Sequence, residues 1–136
     1  FHDFPSWKGR AEVISVASSM HTEARDYLRF AIGLIEKAGL EPETYAEMFR
    51  PHTTLTEEER GMAEEQHVGL GFFLRDTPFG RLVEHGGNNG DFRCKFGAVP
   101  EAGLAYAIFT NTNVGGFLAD AVEQYLLFGR VGSAEK

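Results

Sequence analysis

Glu84-His85-Gly86-Gly87-Asn88-Asn89-Gly90, followed by Phe92-Arg93-Cys94-Lys95-Phe96-Gly97-Ala98, is the stretch that decides the fold. In its second half Phe92, Cys94, Phe96 and Ala98 alternate with Arg93, Lys95 and Gly97, the period of a half-exposed strand. A glycine pair beside such a strand lets another molecule come close to the backbone, where any side chain would stand in the way. His85, just before the pair, can donate, accept or carry charge near neutral pH. The plainer alternative is a turn with a histidine nearby.

Outward from this stretch the same period continues. Leu70, Phe72 and Leu74 alternate with Gly69, Gly71, Phe73 and Arg75, predicting one strand from Val68 onward. Thr77-Pro78-Phe79-Gly80 predicts a turn, Arg81 to His85 a short strand, and Pro100-Glu101-Ala102-Gly103 another turn. Leu104 to Thr110 is apolar almost throughout and predicts a strand buried on both faces. Gly115-Gly116 opens a last helix with a stripe of Leu118, Ala121, Val122, Tyr125 and Leu126, stopped by Gly129.

Toward the N-terminus the period becomes helical. Thr22 predicts an N-cap, with Tyr27, Ala31, Leu34, Ile35 and Ala38 on one face and Gly39 and Leu40 closing the end. Pro42 opens a second helix that carries Tyr45, Met48 and Phe49 inward and stops before Pro51. Thr56 and Glu59 fit a capping box for a short surface helix. Ala11 to Ala17 is a short apolar run, either a strand or an extended lead-in. The expected fold is α+β: an antiparallel sheet of four sequential strands, preceded by helices, with the C-terminal helix packed on one face. Residues 11–66 form the mainly helical part, 67–129 the strands plus the last helix, and 130–136 a polar tail.

Composition narrows the function. One domain or part of one fits 136 residues. A net charge of −7 argues against nucleic acid, which needs a basic surface. No apolar run is long enough for a membrane span. Cys94 is the single cysteine, so no internal disulfide forms, and the five histidines lack the spacing of a helical metal site. The acidic stretch with Glu57, Glu58, Glu59, Glu64 and Glu65 predicts a solvated loop, since no glycine-containing ligand loop accompanies it. No metal and no cofactor are expected. The first residue is Phe1, not Met, which suggests a cut or a processing site.

Covalent hydrolysis needs a nucleophile, an adjacent base and an oxyanion pocket. Gly86, Gly87 and Asn88 on a strand edge can aim a backbone N–H at a substrate carbonyl. The nucleophile is not evident. Ser133-Ala134-Glu135-Lys136 has the Ser-x-x-Lys spacing but sits in the tail, outside the expected core. Ser18 and Ser19 have no suitably spaced Lys or Cys-His partner, and no Gly-x-Ser-x-Gly elbow occurs. Cys94, between Phe92 and Phe96, is expected to be a small buried hydrophobe. Phe1, Phe4 and Trp7 suggest an aromatic patch or packing against a neighbouring element.

Four segments, in order, resemble the serine β-lactamase, penicillin-binding protein and D-alanyl-D-alanine carboxypeptidase family, in its class C and esterase-like branch. Ala17 to Tyr27 is similar to the family's small-residue stretch opening a helix, and Gly69-Leu70-Gly71-Phe72 to its "G-l-G-w/f" element. His85-Gly86-Gly87-Asn88-Asn89-Gly90, with Phe92 and Arg93, resembles "H-x-G-x-x-x-G-f", which stands where penicillin-hydrolysing relatives carry Lys-Thr-Gly. The strand ending at Thr110-Asn111 resembles the closing "t-N" strand.

The resemblance implies acyl transfer through a serine-bound intermediate on a small ester, amide or β-lactam. His85 would meet the substrate or the catalytic network, the Asn88 N–H would be an oxyanion donor, and Gly86 and Gly87 would leave room for the acyl group. The family's Ser-x-x-Lys and Tyr-x-Asn motifs lie upstream of the matched part, so no catalytic residue is expected in this chain. It would be the C-terminal portion of a larger hydrolase, inactive alone. Its open sheet edge would be covered by the missing N-terminal segment or by self-association. A periplasmic or extracellular location fits the family, with a cytoplasmic one left open. The alternatives are a non-catalytic pseudoenzyme or binding domain of the same fold, and an unrelated α+β ligand-binding domain.

Overall fold

The computed structural model describes residues 20–59 and 65–129. Helix α1 spans Ala24–Ile35 and α2 spans Pro42–Met48. Six strands follow: β1 Thr53–Thr54, β2 His67–Val68, β3 Phe73–Thr77, β4 Gly80–Asn89, β5 Phe92–Val99 and β6 Leu104–Thr110. Helix α3, Gly115–Phe128, ends the described chain. The strands pair antiparallel in chain order, each with its neighbour. The result is the expected α+β architecture with α3 on one face, but with six strands where four were expected.

Both glycine-containing stretches differ from the expected local structure. The strand expected from Val68 to Leu74 is two strands, with Val68 opposite Phe73 and His67 opposite Leu74. Gly71 at φ +83 turns the chain between them, and the Leu70 N–H bonds Met48 O at 3.0 Å, drawing this loop onto α2. Conversely, Gly86 to Asn89 is not a turn but the second half of β4, which runs ten residues. The real turn is Gly90-Asp91, where Gly90 takes φ +67 at the first central position, as a tight hairpin of this twist requires.

The faces follow from the register. Leu74, Val83, Phe96 and Ala98 point toward α1 and α2 and join a core with Ala31, Leu34, Tyr45 and Phe72. Phe96 is its aromatic centre, with ring centroids 5.2 Å from Tyr27, 5.8 Å from Phe30 and 6.2 Å from Phe72, so one residue ties α1 to the β2–β3 loop. The opposite face carries Leu82, Val99 and Tyr106 against Leu127 of α3. The sheet is therefore a middle layer with helices on both sides.

The helix ends and faces also depart from expectation. Glu23, not Thr22, is the N-cap of α1, and the Thr22 hydroxyl donates to Glu23 O at 3.5 Å rather than capping a free N–H. The helix stops before Ala38: Ala38 N bonds Gly33 O at 2.9 Å and Lys37 N bonds Leu34 O at 3.4 Å, a Schellman closure with Lys37 at φ 52. Gly39 therefore lies past the cap, and Leu40 is exposed. Helix α3 buries Gly115, Ala119, Glu123 and Leu127. In the expected stripe only Val122 is half-buried, while Leu118, Ala121, Tyr125 and Leu126 face outward. Small Gly115 and Ala119 let the helix approach the sheet, and the polar pull on Glu123 fixes which side turns in.

Strand β6 was expected to be covered on both faces. It is the outermost strand among the described residues, half-buried at every position except buried Tyr106. The apolar run 11–17 lies outside the described residues.

Candidate active site

The second half of β4 has strand pairing on one side only. The two-residue turn makes Asn89 and Phe92 a hydrogen-bonded pair, and an antiparallel ladder alternates from there. Gly87 and His85 therefore bond to Cys94 and Phe96 of β5, while the backbone of Gly86 and Asn88 points the other way. On that other side β3 ends at Phe73, opposite Glu84. From His85 to Asn89 the edge of β4 carries no strand among the described residues. The Gly86 carbonyl and the Asn88 N–H lie along it.

His85 curls over this edge. Its ring stacks on Phe73 with centroids 5.5 Å apart, and its Nδ1 lies 2.7 Å from Gly86 O. A carbonyl only accepts, so Nδ1 is the donor in this contact. His85, Gly86 and Asn88 are exposed and Gly87 is half-buried. Asn88 Oδ1 accepts from the Gly90 N–H at 3.2 Å, bracing the turn. The four expected residues thus share one accessible rim. A cavity of about 350 Å3 opens beneath it, between Gly86, Asn88, Lys95 and the start of α3 at Gly116. A larger cavity, about 410 Å3, lies by Gly80 and Pro100 at the far end of β4, away from the rim.

The family model described as Beta-lactamase matches residues 3–129. The chain belongs to the beta-lactamase family. Among solved structures it is similar to the octameric penicillin-binding protein homologue from Pyrococcus abyssi, at 18% identity and TM-score 0.63, over 75% of this chain and 23% of that one. It is also similar to SurE with D-Leu, at 22% identity and TM-score 0.59, over 76% of this chain and 25% of that one. At these identities the likeness is one of fold. The chain spans about a quarter of either structure's length. No curated protein matches.

Within this beta-lactamase-family chain the other expected candidates fare unevenly. Ser18, Ser19, Ser133, Lys136, Phe1, Phe4 and Trp7 lie outside the described residues. Cys94 is exposed rather than buried. Partial desolvation still raises its pKa, against the pull of the Gly87 N–H on its sulfur, so the thiol stays protonated near neutral pH. The Thr56–Glu59 box forms in part: Glu59 Oε2 accepts from Thr56 N at 3.0 Å and from its hydroxyl at 2.9 Å. Glu57 and Glu58 are exposed, as expected of a solvated stretch.

A buried charge cluster under the rim went unread in the sequence. Glu84 and Glu123 are 4% and 1% exposed, the buried charged residues of the described chain. Lys95 Nζ lies 2.8 Å from Glu123 Oε2, 3.0 Å from Asp120 and 3.5 Å from Glu84. Arg75 pairs with Glu123 and, at 3.4 Å, with Glu84, while Tyr106 donates to Glu123. Burial raises the Glu84 pKa, with Glu123 adding to the effect and Arg75 and Lys95 opposing it. Burial also acts to raise Glu123, but hydrogen bonds from Lys95 and Tyr106 outweigh it and hold it below the usual carboxylate range. Glu123 is thus the firmly ionised member. No sequence signal marked it: Lys95 sits among the polar positions of its alternating strand, Arg75 opposite the apolar set of its own, and Glu123 off the apolar stripe of α3.

Proposed function

We propose that this chain supplies the substrate-side wall of an acylation cleft in a serine hydrolase. The observation that carries this is the edge of β4 from His85 to Asn89, which carries no strand among the described residues. Along such an edge an extended ester, amide or β-lactam can lie beside the backbone, with glycines leaving space for it. In this reading the Asn88 N–H donates to an oxyanion, and His85 hydrogen-bonds the substrate or the attacking group. The attacking hydroxyl and its base would come from a Ser-x-x-Lys and a Tyr-x-Asn in polypeptide upstream of Phe1. A histidine in the lysine position favours an esterase or peptidase type over a penicillin hydrolase.

The 136-residue chain alone should not turn over a chromogenic β-lactam or a p-nitrophenyl ester. A longer polypeptide carrying the upstream motifs should. In it, His85→Ala should lower kcat/KM by about tenfold or more with the melting temperature unchanged. Equal loss of activity and stability would make His85 a packing residue. Absence of turnover in the longer form would leave the non-catalytic alternative standing.

The same reading covers partners. The edge of β6 that carries no strand among the described residues and the outward Phe117, Leu118 and Tyr125 of α3, 75%, 55% and 61% exposed, are surfaces that an isolated domain does not leave uncovered. An upstream segment or a second copy would cover them. The octameric state of the similar penicillin-binding protein homologue supports association. Size-exclusion chromatography with mass detection should give this chain a mass above 15.1 kDa. A well-folded monomer would count against both coverings.

A further inference from the structure

We infer that Glu84 and Lys95 are positioning residues for the rim, fixing the geometry of His85, Gly86 and Asn88 from the α3 face of the sheet. The role given to the rim rests on the acyl-transfer reading; the geometry does not. Glu84 is the last β4 residue paired with β3, and one residue later the strand has β5 alone. At that transition its carboxylate has a cation on either side, with Glu84 Oε2 and Arg75 Nε buried and making no hydrogen bond. Arg75 of β3 reaches it at 3.4 Å, Gln66 Nε2 donates at 3.2 Å, and Lys95 of β5 stands at 3.5 Å.

Lys95 is the register partner of Gly86. Gly86 carries no side chain beside the lysine stem, and Lys95 Nζ comes to 3.5 Å from Glu84 Oε2. The ammonium then continues to Glu123 and Asp120 of α3. Contacts between charged groups are directional and confine a strand more narrowly than apolar packing. Buried ion clusters add little net stability, so a role in fixing one arrangement accounts better for this one. The second link is Phe73, which pairs with Glu84 and stacks on His85. A shift of Glu84 therefore reaches the imidazole directly.

The test uses the intact 136-residue chain and needs no turnover, so its failure is separable from failure of the acyl-transfer reading. Glu84→Gln and Lys95→Gln are compared with wild type by ¹⁵N NMR of the His85 ring and by amide hydrogen exchange at Gly87. Both variants should lose the Nδ1–H preference and exchange Gly87 at least about tenfold faster than amides of α1 change. Asp120→Asn, at the exposed end of the cluster, should leave both readouts as in wild type. A folded Glu84→Gln or Lys95→Gln with a native rim would overturn the inference. So would global unfolding of both, which would make the cluster a general stability element.

Discussion

Glu123→Ala is expected to destabilise the chain by about 3–5 kcal/mol, the usual cost of removing one partner from a buried ion pair. The carboxylate is 1% exposed and holds three groups at once, Arg75, Lys95 and Tyr106. Without it two cations and a phenol remain in a space with little water. Glu84 is the poorer counter-ion of the two carboxylates, since burial raises its pKa while hydrogen bonds from Lys95 and Tyr106 lower that of Glu123. For a domain with about 5–15 kcal/mol in total, that loss moves most of the unfolding curve. Urea denaturation followed by circular dichroism measures it. Asp120→Asn is the comparison, because Asp120 touches the same lysine but is half-exposed and should cost under about 1 kcal/mol. A Glu123→Ala effect as small as that would mean the cluster contributes little.

The second large effect is expected at Gly69. A Cβ there would lie 2.3 Å from Met48 O and 3.1 Å from Leu74 Cδ1. The first is backbone, at the end of α2, and it already accepts the Leu70 N–H. It cannot swing aside as a side chain would. Gly69→Ala should therefore pull the β2–β3 loop off α2 and cost about 3 kcal/mol, at the upper end of overpacking effects. Gly86→Ala is the matched control. Its Cβ meets only Cys94 O at 3.4 Å, so its stability should change by less than about 0.5 kcal/mol. Denaturation midpoints of the two variants decide it, and equal midpoints would show that the loop yields.

The sequence was most informative where period and turn chemistry agreed. Phe92 to Ala98 is a strand as its alternation predicts, and Pro42 and Pro51 bracket α2 as fixed backbone angles require. His85, Gly86, Gly87 and Asn88 share one rim, which their adjacency in one strand ensures. What could not be read came from competition between elements. Glycines that suggested a turn at Gly86 are strand residues because β5 pairs with them, while Gly69-Leu70-Gly71 breaks an apparent strand because Met48 O draws the chain away. The face of α3 was misassigned for a similar reason. A hydrophobic stripe marks what a helix could bury, but three polar partners around Glu123, namely Arg75, Lys95 and Tyr106, decided what it did bury. Cys94 was judged by its neighbours in sequence, yet it is exposed at the hairpin end of β5, where Phe92 is exposed as well.

The sheet order repeats the chain order from β1 to β6, with two-residue turns joining β3 to β4 and β4 to β5. From β2 to β6 each ladder closes only a short loop, and the entropy of closure grows with loop length. Assembly can run hairpin by hairpin without waiting for distant pieces of chain to meet, the topology associated with rapid folding. The exception is the seating of α1 on β5 and β6, whose partners are far apart along the polypeptide. That one encounter, rather than any step in zipping the strands, carries the largest entropic barrier.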